Sequence, residues 1–135
     1  MLIDAINEGI SSKAAEMKNK SRLMDKIVAA LVDQTIQLKN GDDSGRFSSV
    51  STDDETQNGC SIVSHDRKVM VTVSGTAIFK DIHIVGGVFE QADNFFRVSS
   101  CSFYLKNDAD TDKIVHAAGV VLGECIAAME AGNVQ

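Results

Sequence analysis

The sequence contains no proline and no internal repeat, which excludes proline-rich linkers and stacked repeat arrays. It has only three cysteines, Cys60, Cys101 and Cys125. They are odd in number and widely spaced, with no CxxC pair and no short His/Cys ladder. That excludes a disulfide framework and the common zinc modules, and it points to a reducing, cytoplasmic setting. Each thiol reads as a small buried hydrophobe. No run of about 18 apolar residues occurs, and the opening MLIDAINEGI carries acids instead of a basic segment followed by an apolar one, so neither export nor a membrane span is expected. Phosphate-binding loops of the GxGxxG or GxxxxGK[ST] kind are absent as well: Gly86 and Gly87 lack that context.

The 135 residues are enough for one domain with its own core, and 44% apolar and 24% charged residues are values of ordinary globular chains. The formal net charge of -6 is unevenly spread. Residues 1–40 and 61–106 each carry +1, whereas 41–60 and 107–135 each carry -4. Two acidic patches favour solubility and repel phosphate backbones on average.

Hydrophobic periodicity divides the chain into an α+β pattern. Ile3, Ile6, Ile10, Met17, Met24, Ile27, Leu31 and Leu38 recur at spacings of three, four and seven, which predicts helix over 2–39. Lys13, Lys20 and Gln34 interrupt the stripe, leaving open either one long helix or a helix pair broken near Asn19 to Ser21. An unbroken helix of that length would reach beyond a small domain and invite a partner helix. Residues 40–59 read as an acidic loop, with a short strand at Arg46 to Ser51. Residues 60–106 alternate β-branched and aromatic residues with turn chemistry and predict an antiparallel sheet, four to five strands in all. The expected strands are Cys60 to His65, Val69 to Ser74, Ala77 to Val85, Val88 to Gln91 and Phe95 to Lys106. Gly86–Gly87 is expected to be a hairpin turn, and a bulge is expected near Ser99 and Ser100. Residues 111–131 predict a C-terminal helix packed on the sheet, with Ile114, Ala118, Val121, Leu122, Cys125, Ala128 and Met129 on its apolar face and Gly132 with Asn133 as its stop.

Few side chains suggest chemistry. Asn107 to Asp112 opens like a calcium loop, but Lys113 and Gly119 stand where glycine and a bidentate glutamate are required, so the acids are read as helix-capping groups. Lys18, Arg22 and Lys26 fall four apart on one helix face and offer a phosphate contact, although Glu16 and Asp25 intervene and no aromatic accompanies them. Asp81 and His83, two apart on a strand, project from one face, where a carboxylate can orient an imidazole; no nucleophile is assigned to them, since sequence does not show whether Ser64, Ser74 or Cys101 approaches, and the pair reads as an exposed polar strand face. His65 and His116 have no metal-ligand partner at usable spacing. Gly119, Gly123 and Ala127 form a side-chain-poor strip that should face either the sheet or a second copy.

Residues 68–84, KVMVTVSGTAIFKDIHI, place Val69, Val71, Val73, Gly75, Ile82 and Ile84 in a V-x-V-x-V-x-G, gap, V-x-I pattern. This resembles the YbaB-like nucleoid-associated family, which also has a long N-terminal helix and a C-terminal helix rich in small residues. The resemblance implies a homodimer with DNA-binding capacity. The 40–59 loop, the strand around Cys60 to His65 and the 86–106 segment exceed that family's pattern. With no assembled chemistry, the residues themselves favour a non-catalytic, homodimeric protein that binds a protein partner as an adaptor, inhibitor or chaperone does, and they imply no cofactor or metal. DNA binding, and a small ligand or substrate held between sheet and helices, are the alternatives.

Overall fold

The computed structural model describes residues 1–41, 51–53, 59–63, 68–75, 81–91, 94–104 and 110–134. Helix α1 spans Leu2–Asn40 without interruption, a length of roughly 58 Å at 1.5 Å per residue. The break near Asn19 to Ser21 does not occur. Two of the three polar residues that interrupt the stripe are tied along the helix, Lys13 and Lys20 reaching Glu16 at 3.3 and 3.2 Å, and across the expected break Arg22 donates to Asn19 Oδ1 at 2.9 Å. At the far end Thr35 Oγ1 donates to the Leu31 carbonyl at 2.7 Å, and the Gly41 amide closes the last turn on the Gln37 carbonyl at 2.9 Å.

Among the described residues five strands follow: β1 Ser51–Asp53, β2 Gly59–Val63, β3 Val69–Gly75, β4 Asp81–Gln91 and β5 Asn94–Tyr104. They form one antiparallel meander in the order β1-β2-β3-β4-β5. Helix α2, Asp110–Val134, covers β3, β4 and β5, while α1 lies over β1 and β2 and against α2. The α+β expectation holds, with helix at both ends of an antiparallel sheet. Of the predicted strand Arg46 to Ser51 only Ser51 is described, and it opens β1; His65 and Ala77 to Lys80 lie outside the described residues.

One face of the sheet supplies the core. Cys60, Ile62, Val69, Val71, Val73, Ile82 and Ile84 are buried against Leu23, Met24, Ile27 and Leu31 of α1 and Ile114, Ala118, Val121 and Cys125 of α2. Of the predicted apolar face of α2, Ala128 is instead exposed and Met129 half-buried, because the helix outruns the sheet and continues past its expected stop at Gly132.

Gly86 and Gly87 are not a hairpin turn. They sit inside β4, which pairs with β3 and β5 along its length. Glycine is required there for close approach: a Cβ on Gly86 would collide with Val121 Cγ1 and stand 2.7 Å from Cys125 Sγ, and one on Gly87 would stand 2.6 Å from the Phe95 ring. The pair also marks a bulge. Gly86 pairs with Ser99 and Gly87 with Arg97, which leaves Val98 without a counterpart, one residue before Ser99. A second irregularity leaves Glu90 unmatched between Phe89 and Gln91. Strand β5 is the sheet's edge, and Phe95, Phe96, Val98 and Tyr104 are each more than a third exposed along it.

By length and composition alone, Asp110–Gly132 is long and apolar enough to cross a membrane. The same segment is the helix that packs on β3 to β5.

Candidate functional site

The strand alternation that buries Ile82 and Ile84 turns Asp81 and His83 to the opposite face of β4, half-buried. His83 is in register with Ser102 on β5 and Ser74 on β3. Its Nδ1 lies 2.9 Å from Ser102 Oγ. Ser102, which sequence reasoning missed, is thus the hydroxyl that meets the imidazole; Cys101 pairs with Ile84 and packs against the core, and Ser64 lies outside the described residues. The missing signal was long-range register, which no local spacing carries. Asp81 sits opposite Tyr104, and among the described residues no hydrogen bond joins it to His83.

A cavity of about 390 Å³ lies on the other side of the sheet, between the C-terminal half of α1 and α2. Leu31, Leu38, Ile62, Val115, Gly119 and Leu122 make it mainly apolar, with glutamines at its rim. Because it opens on the helix-covered face, Asp81 and His83 do not line it. The carboxylate and the imidazole are not brought together with the space between the helices.

The three thiols are not nucleophiles in waiting. Cys60 and Cys125 are buried and Cys101 half-buried. Burial, reinforced by the neighbouring Glu124 charge, pushes the Cys125 thiol up to about 11 and raises that of Cys101. Among the described residues no three His, Cys, Asp or Glu side chains cluster as metal ligands would.

Lys18, Arg22 and Lys26 are all exposed on one face of α1, away from the buried Leu23 and Ile27. Gly119, Gly123 and Ala127 are exposed too, and the space a Cβ would occupy at both glycines is open. The strip therefore does not face its own sheet.

Among the described residues, the most exposed large apolar side chains lie in the first half of α1. From Met1 to Glu16 every residue is exposed, and the helix enters the domain only around Met17 to Lys20, where Lys20 is buried with its ammonium 4.8 Å from the centre of the Tyr104 ring. Leu2, Ile3, Ile6 and Ile10 are 76%, 68%, 51% and 62% exposed. At 100° per residue they fall within one face, in line with Met24, Ile27 and Leu31, which the same helix buries.

No family model, curated protein or solved structure matches the chain.

Proposed function

We propose that the protein is a non-catalytic interaction protein, homodimeric, that engages a protein partner as adaptors, inhibitors and chaperones do. One observation carries this reading: Leu2, Ile3, Ile6 and Ile10 present a continuous apolar face where α1 has left its own domain. Exposed apolar patches of this kind mark interaction sites. The separation of His83 and Asp81 from the cavity supports a binding role over a catalytic one. The test is light scattering of the purified chain together with affinity capture from native lysate, comparing the natural chain with one in which the four residues are replaced by serine. A monomer that retains no protein overturns the reading.

A second reading is dimeric DNA binding in the manner of the YbaB-like family. It is favoured by the exposure of Lys18, Arg22 and Lys26 on one face of an unbroken helix. Of the six residues that carry the resemblance, Val69, Val71, Val73, Ile82 and Ile84 are core residues and Gly75 is half-buried, so they speak to packing and leave the ligand open. This reading requires salt-sensitive binding to duplex DNA that is lost when the three cations become glutamate; no mobility shift at low salt refutes it.

A further inference from the structure

We infer that the space between the C-terminal half of α1 and α2 is a binding site for an uncharged, mainly apolar small molecule with one neutral polar group, such as a hydroxyl, carbonyl or amide. The site goes beyond the interaction surface proposed above and does not depend on it. Leu31, Gln34, Thr35 and Leu38 stand three and four apart and form one stripe of α1, and Val115, Gly119 and Leu122 form the stripe of α2 that borders the same space. Ile62 of β2 completes the lining. Leu31, Thr35, Ile62 and Leu122 are buried, whereas Gln34, Gln37 and Gly119 are exposed, which gives the space a buried floor and an open mouth. Its existence has a cause in the sequence. Each stripe carries a residue of short reach between larger ones: Thr35, whose hydroxyl is turned back on the Leu31 carbonyl at 2.7 Å, and Gly119, which has no side chain. Nothing lies within 4 Å of the place a Gly119 Cβ would take. Packed interiors leave few voids larger than a water molecule, yet here about 390 Å³ stays open between two helices. That volume falls in the range of small-molecule sites, about 300–1,000 Å³.

The lining selects the chemical class. Among the described residues, none that borders the space is ionisable. The charge tied to its rim is negative, since the Gln37 amide donates to Asp33 Oδ2 at 2.9 Å. A carboxylate, sulfonate or phosphate entering here would exchange water for leucine, isoleucine and valine, with no lining cation to receive it. An uncharged molecule avoids that desolvation, and its apolar body covers the leucines and Ile62. Its one polar group can turn to the rim, where Gln34 offers a carboxamide that both donates and accepts hydrogen bonds.

The experiment uses the full chain and two fluorescent probes of one ring skeleton: N-phenyl-1-naphthylamine, which is uncharged, and 1-anilinonaphthalene-8-sulfonate, which carries a sulfonate. The uncharged probe should bind saturably, with brighter and blue-shifted emission, and should raise the Tm because it binds the folded chain. The sulfonate should bind at least about tenfold more weakly. Gly119→Leu, whose side chain enters the open space, should weaken the uncharged probe by about tenfold or more through loss of the volume it occupies. Ile6→Asp with Ile10→Asp, at the exposed apolar face of α1, should leave that affinity unchanged. Gln34→Lys, at an exposed rim position, should strengthen binding of the sulfonate and not of the uncharged probe. If circular dichroism shows Gly119→Leu to be unfolded, Gln34→Lys decides the matter: affinities for both probes that stay as in the natural chain overturn the site. So does an uncharged probe that fails to bind at tens of micromolar, or one whose binding survives in a folded Gly119→Leu chain. Equal affinities of the natural chain for the two probes overturn the uncharged class.

Discussion

Replacing Gly86 by alanine tests the contact that fixes α2 on the sheet. The added methyl has nowhere to go: Val121 Cγ1 occupies its position, Cys125 Sγ stands 2.7 Å away and Val71 Cγ2 3.2 Å away. All three belong to buried side chains of the core, so relief requires rotamer changes or a shift of α2. Overpacking of this kind costs about 1–3 kcal/mol. For a domain of this size each kcal/mol corresponds to roughly 3–5 °C in Tm. Gly86→Ala should therefore lower the midpoint of thermal unfolding, followed by circular dichroism, by about 3–15 °C. Val121→Ala, which removes the obstructing methyl, should also destabilise by leaving a small cavity. Combined, the two should cost less than the sum of their separate effects by about 0.5 kcal/mol or more, the signature of two side chains competing for one space. Additive losses, or a Gly86→Ala protein as stable as the natural one, would refute the assignment of Gly86 to close packing.

Gly119→Ala and Gly123→Ala should each stabilise the single chain by up to about 1 kcal/mol, because glycine in a helix interior is unfavourable and nothing lies within 4 Å of the added methyls; urea unfolding midpoints that fall instead show that the strip is covered. The native thiols should react with iodoacetamide in the order of their exposure, Cys101 first, with Cys125 protected by burial and a pKa of about 11 until the chain unfolds; equal rates for both refute this. Glu16 is held below its ordinary 4.5 chiefly by its hydrogen bond to Lys20 and then by Lys13. Its contribution is thus complete above pH 4.5 and is lost as pH falls through the lower folded value. A carboxyl titration by NMR should place the Glu16 midpoint below 4.5 and move it up in Lys20→Met; a natural-chain midpoint at or above 4.5 contradicts the pairing.

How far the sequence predicts this structure depends on whether a feature is local. The α1 and α2 stripes and the alternation of Val69, Val71 and Val73 are local periodicities, and each became the expected element. Gly86–Gly87 failed because glycine answers two demands, tight turning and close packing, and only the position of Val121 tells them apart. Lys13 and Lys20 looked like interruptions of a helix, yet both pair with Glu16 along it. The candidate site was less legible still. The partnership of His83 with Ser102 depends on the register between β4 and β5, 19 residues apart in sequence. The periodicity of α1 is the same in its buried and uncovered halves, so Ile6 and Ile27 look alike until the sheet's extent is known.

The bulge at Val98 bears on how the protein stays out of fibres. An open edge eleven residues long with four exposed apolar side chains is a template on which other chains can stack. Val98 without a counterpart and the charge on Arg97 divide that template, leaving Ser99 to Tyr104 as its longest regular stretch, four of its six residues serine or cysteine. Deleting Val98 would straighten the edge into one uninterrupted ladder, turning a folded domain into a seed.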